Sequence, residues 1–104
     1  MQFLLFMHHI ITYNNNKFKY VYTNLFVILL FSFIYWYYGT PENFKSNTHF
    51  DATENMSYLN ALYFSATTHS SVSYGDITPK SKFMQIIVIA HIILLVVTIS
   101  ILIL

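Results

Sequence analysis

The sequence predicts an all-α membrane protein: two transmembrane helices with a short re-entrant helix and a polar loop between them. Three observations carry that expectation. The 104-residue chain is 56% hydrophobic and only 9% charged, against roughly 25% charge in a soluble domain. A chain this small cannot hide so much apolar surface from water. Two blocks, residues 20–38 and 83–104, carry no charge and are each long enough to cross the hydrocarbon. Between them lies SATTHSSVSYGDITP, residues 65–79, which crowds hydroxyls into a chain that is otherwise mostly apolar.

Composition also excludes several function classes. The net charge is +1, so no basic patch points to nucleic acid. There is no cysteine, which removes disulfides, thiolate metal sites and thiol catalysis. With only two glycines, a glycine-rich phosphate loop is ruled out. No nucleophile–base pairing or acid dyad stands out, so no enzyme activity and no cofactor are expected. The histidines show no metal-ligand spacing, and His8, His9 and His49 read as surface residues.

Taken in order, residues 1–19 form an N-terminal segment too short to span, because about 12 apolar residues at 1.5 Å each fall short of a core of roughly 30 Å. They read as an interfacial helix broken by the polar run before Lys17 and Lys19. Residues 20–38 are the first span. Tyr20 and Tyr22 mark one end, and Tyr35, Trp36, Tyr37 and Tyr38 mark the other as an interfacial belt. Gly39 and Pro41 stop the helix.

Residues 39–56 form a polar outer loop with three of the four acids, Glu42, Asp51 and Glu54. Asp51 and Glu54 have capping-box spacing, and Ser57 is a second candidate cap. The Asn55-Met56-Ser57 glycosylation sequon reads as a chance match. A short helix follows over 57–70, then the polar segment 71–76. Residues 83–104 are the second span, with Lys80 and Lys82 at the outer interface. Thr98 and Ser100 can bond back to the preceding turn and bend that helix. They are the candidate inner gate, against a plain reading as two satisfied hydroxyls.

The segment around 67–76 cannot face lipid, because each bare backbone group there costs several kcal/mol. Non-helical backbone at membrane depth survives only inside protein or along a water-filled path. Two spans and a short helix cannot enclose such a path, but several copies around an axis can. Residues 71–75 would then offer successive carbonyl oxygens, and Ser71 a hydroxyl as well. Rings of such oxygens can replace a cation's hydration shell. The preceding helix would aim its negative end at the axis, which favours a cation.

Thr-Thr-His-Ser-Ser-Val-Ser-Tyr-Gly-Asp, residues 67–76, resembles the potassium-channel filter, whose usual core is Thr-Val-Gly-Tyr-Gly-Asp. The chain as a whole resembles the miniature potassium channels of algal viruses (phycodnaviruses). The match runs through Tyr63-Phe64, Thr67 to Ser70, Val72, Gly75-Asp76-Ile77, Pro79-Lys80 and Ile89-Ala90-His91-Ile92, and is strongest over 57–92.

The resemblance implies a homotetrameric pore in membrane lipid, both termini cytoplasmic, passing potassium ions passively. Residues 57–70 would be the pore helix and 71–76 the filter. Ser71 would line the innermost potassium site with its hydroxyl and carbonyl. Val72, Ser73 and Tyr74 would supply the next rings, Gly75 would close the outer end, and Asp76 would sit at the outer mouth. Thr67, Thr68, His69 and Ser70 would support the filter. Membrane localisation is expected, in a viral or host cell membrane. Lysine counting, with Lys17 and Lys19 inside against Lys45, Lys80 and Lys82 outside, taken alone argues for the reverse orientation.

Two positions depart from the usual core. Ser71 replaces threonine and keeps the hydroxyl. Ser73 replaces a glycine where positive φ is wanted, at roughly 1–2 kcal/mol per subunit. A weakly selective cation pore is therefore the first alternative, and a non-conducting membrane modulator the second. His69 reads as a packed residue bonded to neighbours, with pH sensing as the rival role. His91 reads as a neutral histidine in a helix contact, with cavity lining as the alternative.

Overall fold

The computed structural model describes Gln2, residues 15–70 and residues 74–103. Helix α1 runs Asn15–Tyr37, strand β1 Phe44–Ser46, helix α2 Tyr58–His69, strand β2 Ile77–Pro79 and helix α3 Lys82–Ile103. At 1.5 Å per residue, α1 and α3 are about 33–35 Å long, enough for the hydrocarbon core, whereas α2 reaches only about 18 Å. The apolar windows Phe18–Tyr37 and Lys82–Ile101 are only 22% and 17% buried within the chain. Soluble core helices would be mostly covered, so these faces need lipid or another copy.

Helix α1 starts five residues before Tyr20. The polar run that reads as a break is therefore helical from Asn15. It holds no glycine or proline to stop the helix. Most of the proposed interfacial segment 1–19, and with it His8 and His9, lies outside the described residues.

The aromatic belt at the other end also needs correcting. Tyr35 is fully buried, while Trp36 and Tyr37 are 50% and 78% exposed. Successive helical residues turn by about 100°, so neighbours in sequence cannot share one face. The ring of Tyr35 packs edge-on against Phe44 and Phe64, with centroids 5.9 and 4.9 Å away.

Gly39 lies two residues past the end of α1, in a turn that has no room for a side chain. A Cβ there would lie 2.9 Å from both the Met56 side chain and the Tyr35 carbonyl oxygen. The Gly39 carbonyl accepts the Met56 amide at 2.7 Å, which draws Met56 into the core. That contact explains why the capping box at Asp51 does not form. The Glu54 amide reaches the Asp51 carbonyl in an isolated turn, and residues 55–57 lie outside helix before α2 begins. Ser57 is the cap, its hydroxyl accepting from the Asn60 amide at 3.2 Å.

The outer loop contains a feature absent from the sequence reading. β1 and β2 pair antiparallel, Phe44 opposite Pro79 and Ser46 opposite Ile77. Phe44 and Ile77 are buried at the first position of each strand. Three-residue strands have no periodicity to read; their partner, more than thirty positions away, defines them. The Lys80 amide extends the pairing to the Asn43 carbonyl at 2.7 Å. Ser81 donates to the Asn43 side-chain oxygen and accepts from the Met84 amide, capping α3.

The core sits where α1, α2, the strand pair and the start of α3 meet: Val27, Phe31, Tyr35, Phe44, Met56, Ala61, Phe64, Ile77 and Met84. Two hydroxyls fasten α2 across it. Ser65 donates to the Ile28 carbonyl at 2.7 Å, and Ser32 bonds the Tyr58 hydroxyl at 3.1 Å. Gly39→Ala should destabilise the chain by about 1–3 kcal/mol through overpacking. Thermal unfolding in detergent checks this, and an unchanged midpoint would contradict the close packing at that turn.

Candidate functional site

Helix α2 ends on the residues singled out as filter support. Thr67 donates its hydroxyl back to the Tyr63 and Phe64 carbonyls at 3.0 and 3.2 Å. Ser70 closes the helix, its amide reaching the Ala66 carbonyl and its hydroxyl the Thr67 carbonyl. These bonds hold the carboxyl end of α2 in shape, so its negative dipole end points where the chain enters the segment 71–76. Thr67 and Thr68 line an open cleft of about 300 Å³ with Phe64, Ile77, Val88 and Ile92 among its other walls.

Ser71, Val72 and Ser73 lie outside the described residues. Beyond them, Tyr74 is 67% exposed on this single chain, and its ring lies nearly parallel to that of Tyr63, with centroids 6.4 Å apart. Gly75 has φ +76°, the conformation that glycine adopts without penalty. A Cβ at Gly75 would meet no atom within 4 Å, so a larger residue would be opposed by backbone strain alone.

Asp76 is fixed from three directions. Its Oδ1 accepts the Ile77 amide at 3.1 Å. Its Oδ2 accepts the Tyr63 hydroxyl at 2.6 Å and bonds His49 Nε2 at 2.7 Å. The Tyr63 and His49 bonds hold the Asp76 carboxyl below the usual carboxylate range. The same bond, with burial behind it, pushes the Tyr63 phenol up to about 12. His49, read from sequence as a plain surface residue, is thus a ligand of Asp76. No local signal could have found it, since the two are 27 positions apart.

His69, the last residue of α2, is buried. Its Nε2 bonds Asn24 Oδ1 at 2.6 Å, and its Nδ1 bonds His91 Nε2 at 3.1 Å. His91 is fully buried between the spans. Its Nδ1 bonds the Tyr35 hydroxyl at 2.7 Å, and its ring stacks on Phe31 at 4.1 Å. Asn24 and Tyr35 were missed by the sequence reading, because each looked like an ordinary polar or interfacial residue of a span. Farther along α3, Thr98 donates to the Leu94 carbonyl at 2.7 Å and Ser100 to the Val96 carbonyl at 2.9 Å. Both hydroxyls are satisfied within their own helix. Among the described residues, no group of three or more potential metal ligands comes together.

Residues 23–104 match the ion-channel family. The chain belongs to that family. It is therefore a channel and not an enzyme, and it is a membrane protein. The channel is similar to the potassium channel protein kcv of Paramecium bursaria Chlorella virus 1, at 35% identity over 71 residues, which cover 67% of this chain and 73% of that protein. No solved structure gives a significant match.

The bonds around Asp76 set a pH window for the chain's stability. The lowered carboxyl lends stability that is complete above its ordinary range and is lost as pH falls through the folded value. The raised phenol lends stability that is complete below 10.0 and is lost as pH rises toward about 12. Tyr63→Phe should move the acid-side loss to higher pH, as Asp76 returns toward its ordinary value. Unfolding midpoints across a pH series check this, and an acid limb identical to that of the unsubstituted channel would refute the Tyr63 bond.

Proposed function

We propose that the channel conducts potassium passively through a pore formed by four copies of this chain. The arrangement at the end of α2 carries this reading. A helix too short to cross the membrane, held between two that can, delivers its negative end to the segment 71–76. In this reading 58–69 is the pore helix, and the carbonyls of residues 71–75 stand in for the ion's lost water. Ser71 adds a hydroxyl at the inner site, and Asp76, braced by Tyr63 and His49, shapes the outer mouth. Thr67, Thr68, His69 and Ser70 back the filter. Thr98 and Ser100 on α3 are the candidate inner gate.

The tetramer answers two needs. One hairpin cannot enclose a water-filled path, and the spans leave broad apolar faces, including Phe26, Ile86, Ile89 and Ile93, outside the chain's own core. The surrounding lipid is that of a viral or host cell membrane. Potassium is the permeant species, and the reading requires no cofactor. The likeness to a potassium channel of a chlorella virus supports both the cargo and the setting.

Purified channel in a planar bilayer tests the reading. Discrete unitary currents that reverse near the potassium equilibrium potential in a potassium/sodium gradient are expected. Reversal near zero would indicate a weakly selective cation pore, and silence a non-conducting membrane protein. Ser73→Gly should leave conduction intact and hold or raise the potassium preference, because the usual filter core has glycine here, and glycine takes a positive φ without the roughly 1–2 kcal/mol that such a conformation costs a serine. A clear fall in that preference would make the serine part of the selective geometry.

A further inference from the structure

With both rings neutral, the bonds around His69 and His91 have one consistent donor pattern. The Asn24 side-chain amide donates to the Tyr20 carbonyl at 2.8 Å, so its Oδ1 faces His69 Nε2 as an acceptor. His69 must carry its proton on Nε2. A neutral His69 then has a bare Nδ1, which accepts from His91 Nε2. A neutral His91 in turn has a bare Nδ1, which accepts from the Tyr35 hydroxyl. Every polar atom in the series is satisfied with no charge, and every proton points the same way, from Tyr35 toward Asn24.

We propose that Tyr35, His91, His69 and Asn24 form a one-way hydrogen-bond relay that fixes the carboxyl end of α2 to both spans and thereby positions the filter two residues farther on. Tyr35, His91 and Asn24 act through His69, so they are positioning residues. The proposal rests on the pore reading above for its functional consequence but not for its geometry.

The relay is built to stay neutral. A proton added at His69 Nδ1 would face the His91 Nε2–H. To accept it, His91 would have to carry its proton on Nδ1 and donate to the Tyr35 oxygen. The Tyr35 hydroxyl would then lose its acceptor, in a place where its ring neighbours are Phe31, Phe44 and Phe64. The titratable groups facing the two imidazoles are each other, from α2 and α3, and Tyr35, from α1. Among the described residues no acid or lysine bonds either ring. The uncharged Asn24 at the far end therefore keeps the relay free of a counter-ion, and a carboxylate there would invite the proton in.

Two measurements on the assembled channel test this. With His8, His9 and His49 replaced by Gln, nitrogen-15 NMR in liposomes should show both remaining rings neutral at pH 7, each protonated on Nε2. A proton on Nδ1 or an imidazolium on either ring would overturn the relay, whatever ion the pore prefers. Asn24→Asp should bring an imidazolium signal and make open probability titrate between about pH 5 and 8, changing roughly fivefold or more. A pH profile identical to that of the unsubstituted channel would overturn the positioning role. If Asn24→Asp fails to assemble, the NMR tautomers of the unsubstituted pair decide the question alone.

Discussion

Backbone amides and carbonyls cannot be left bare in hydrocarbon, and the rest of this molecule follows from that constraint. It makes residues 15–37 and 82–103 helical, since a helix pays its own hydrogen bonds within the segment. It also makes the short helix α2 a problem to be solved, because at 12 residues it cannot cross the hydrocarbon on its own. The solution is local first. The Thr67 and Ser70 hydroxyls return to nearby carbonyls, and buried His69 engages both ring nitrogens with partners from the two spans. What remains polar beyond Ser70 has to face water, an ion or another copy of the chain.

The residues on either side of the segment 71–73 are held by different chemistry. At the carboxyl end of α2 the hold is neutral: an amide, two imidazoles and a phenol, with no formal charge to desolvate. At Asp76 the hold is charged: the carboxylate takes a tyrosine hydroxyl, a histidine and a backbone amide. The placement follows the dielectric. A carboxylate buried between the spans would carry a desolvation cost of several kcal/mol, whereas Asp76 sits where water still reaches it. The strand pair β1–β2 ties the two sides together, since β2 starts one residue after Asp76 and β1 sets the outer loop from which His49 reaches back.

Much of this was legible in the residues. The two spans declare themselves by length and lack of charge, the short helix by Ser57 and its apolar positions, and the polar segment by hydroxyls no lipid-facing stretch would carry. Other parts were not legible. Asp51 and Glu54 have the spacing of a capping box, yet Met56 is needed in the core, so the chain stays out of helix there until Ser57. Tyr35 sits in a run of four aromatics, and only the rotation of the helix separates the buried ring from the exposed ones. His49 gives no hint of Asp76, because the contact depends on where the loop folds rather than on any spacing.

By itself, then, the sequence determined the solvent, the order of helices and the place of the polar segment between them. Each depends on free energies that accumulate along contiguous residues: apolar area, backbone pairing and turn chemistry. Tertiary structure alone decided which polar side chains meet, the partners of Asp76 and the four-residue series from Tyr35 to Asn24. Those pairings join residues 13 to 56 positions apart, and a hydrogen bond is directional and short, so its partner is settled only when the helices have packed.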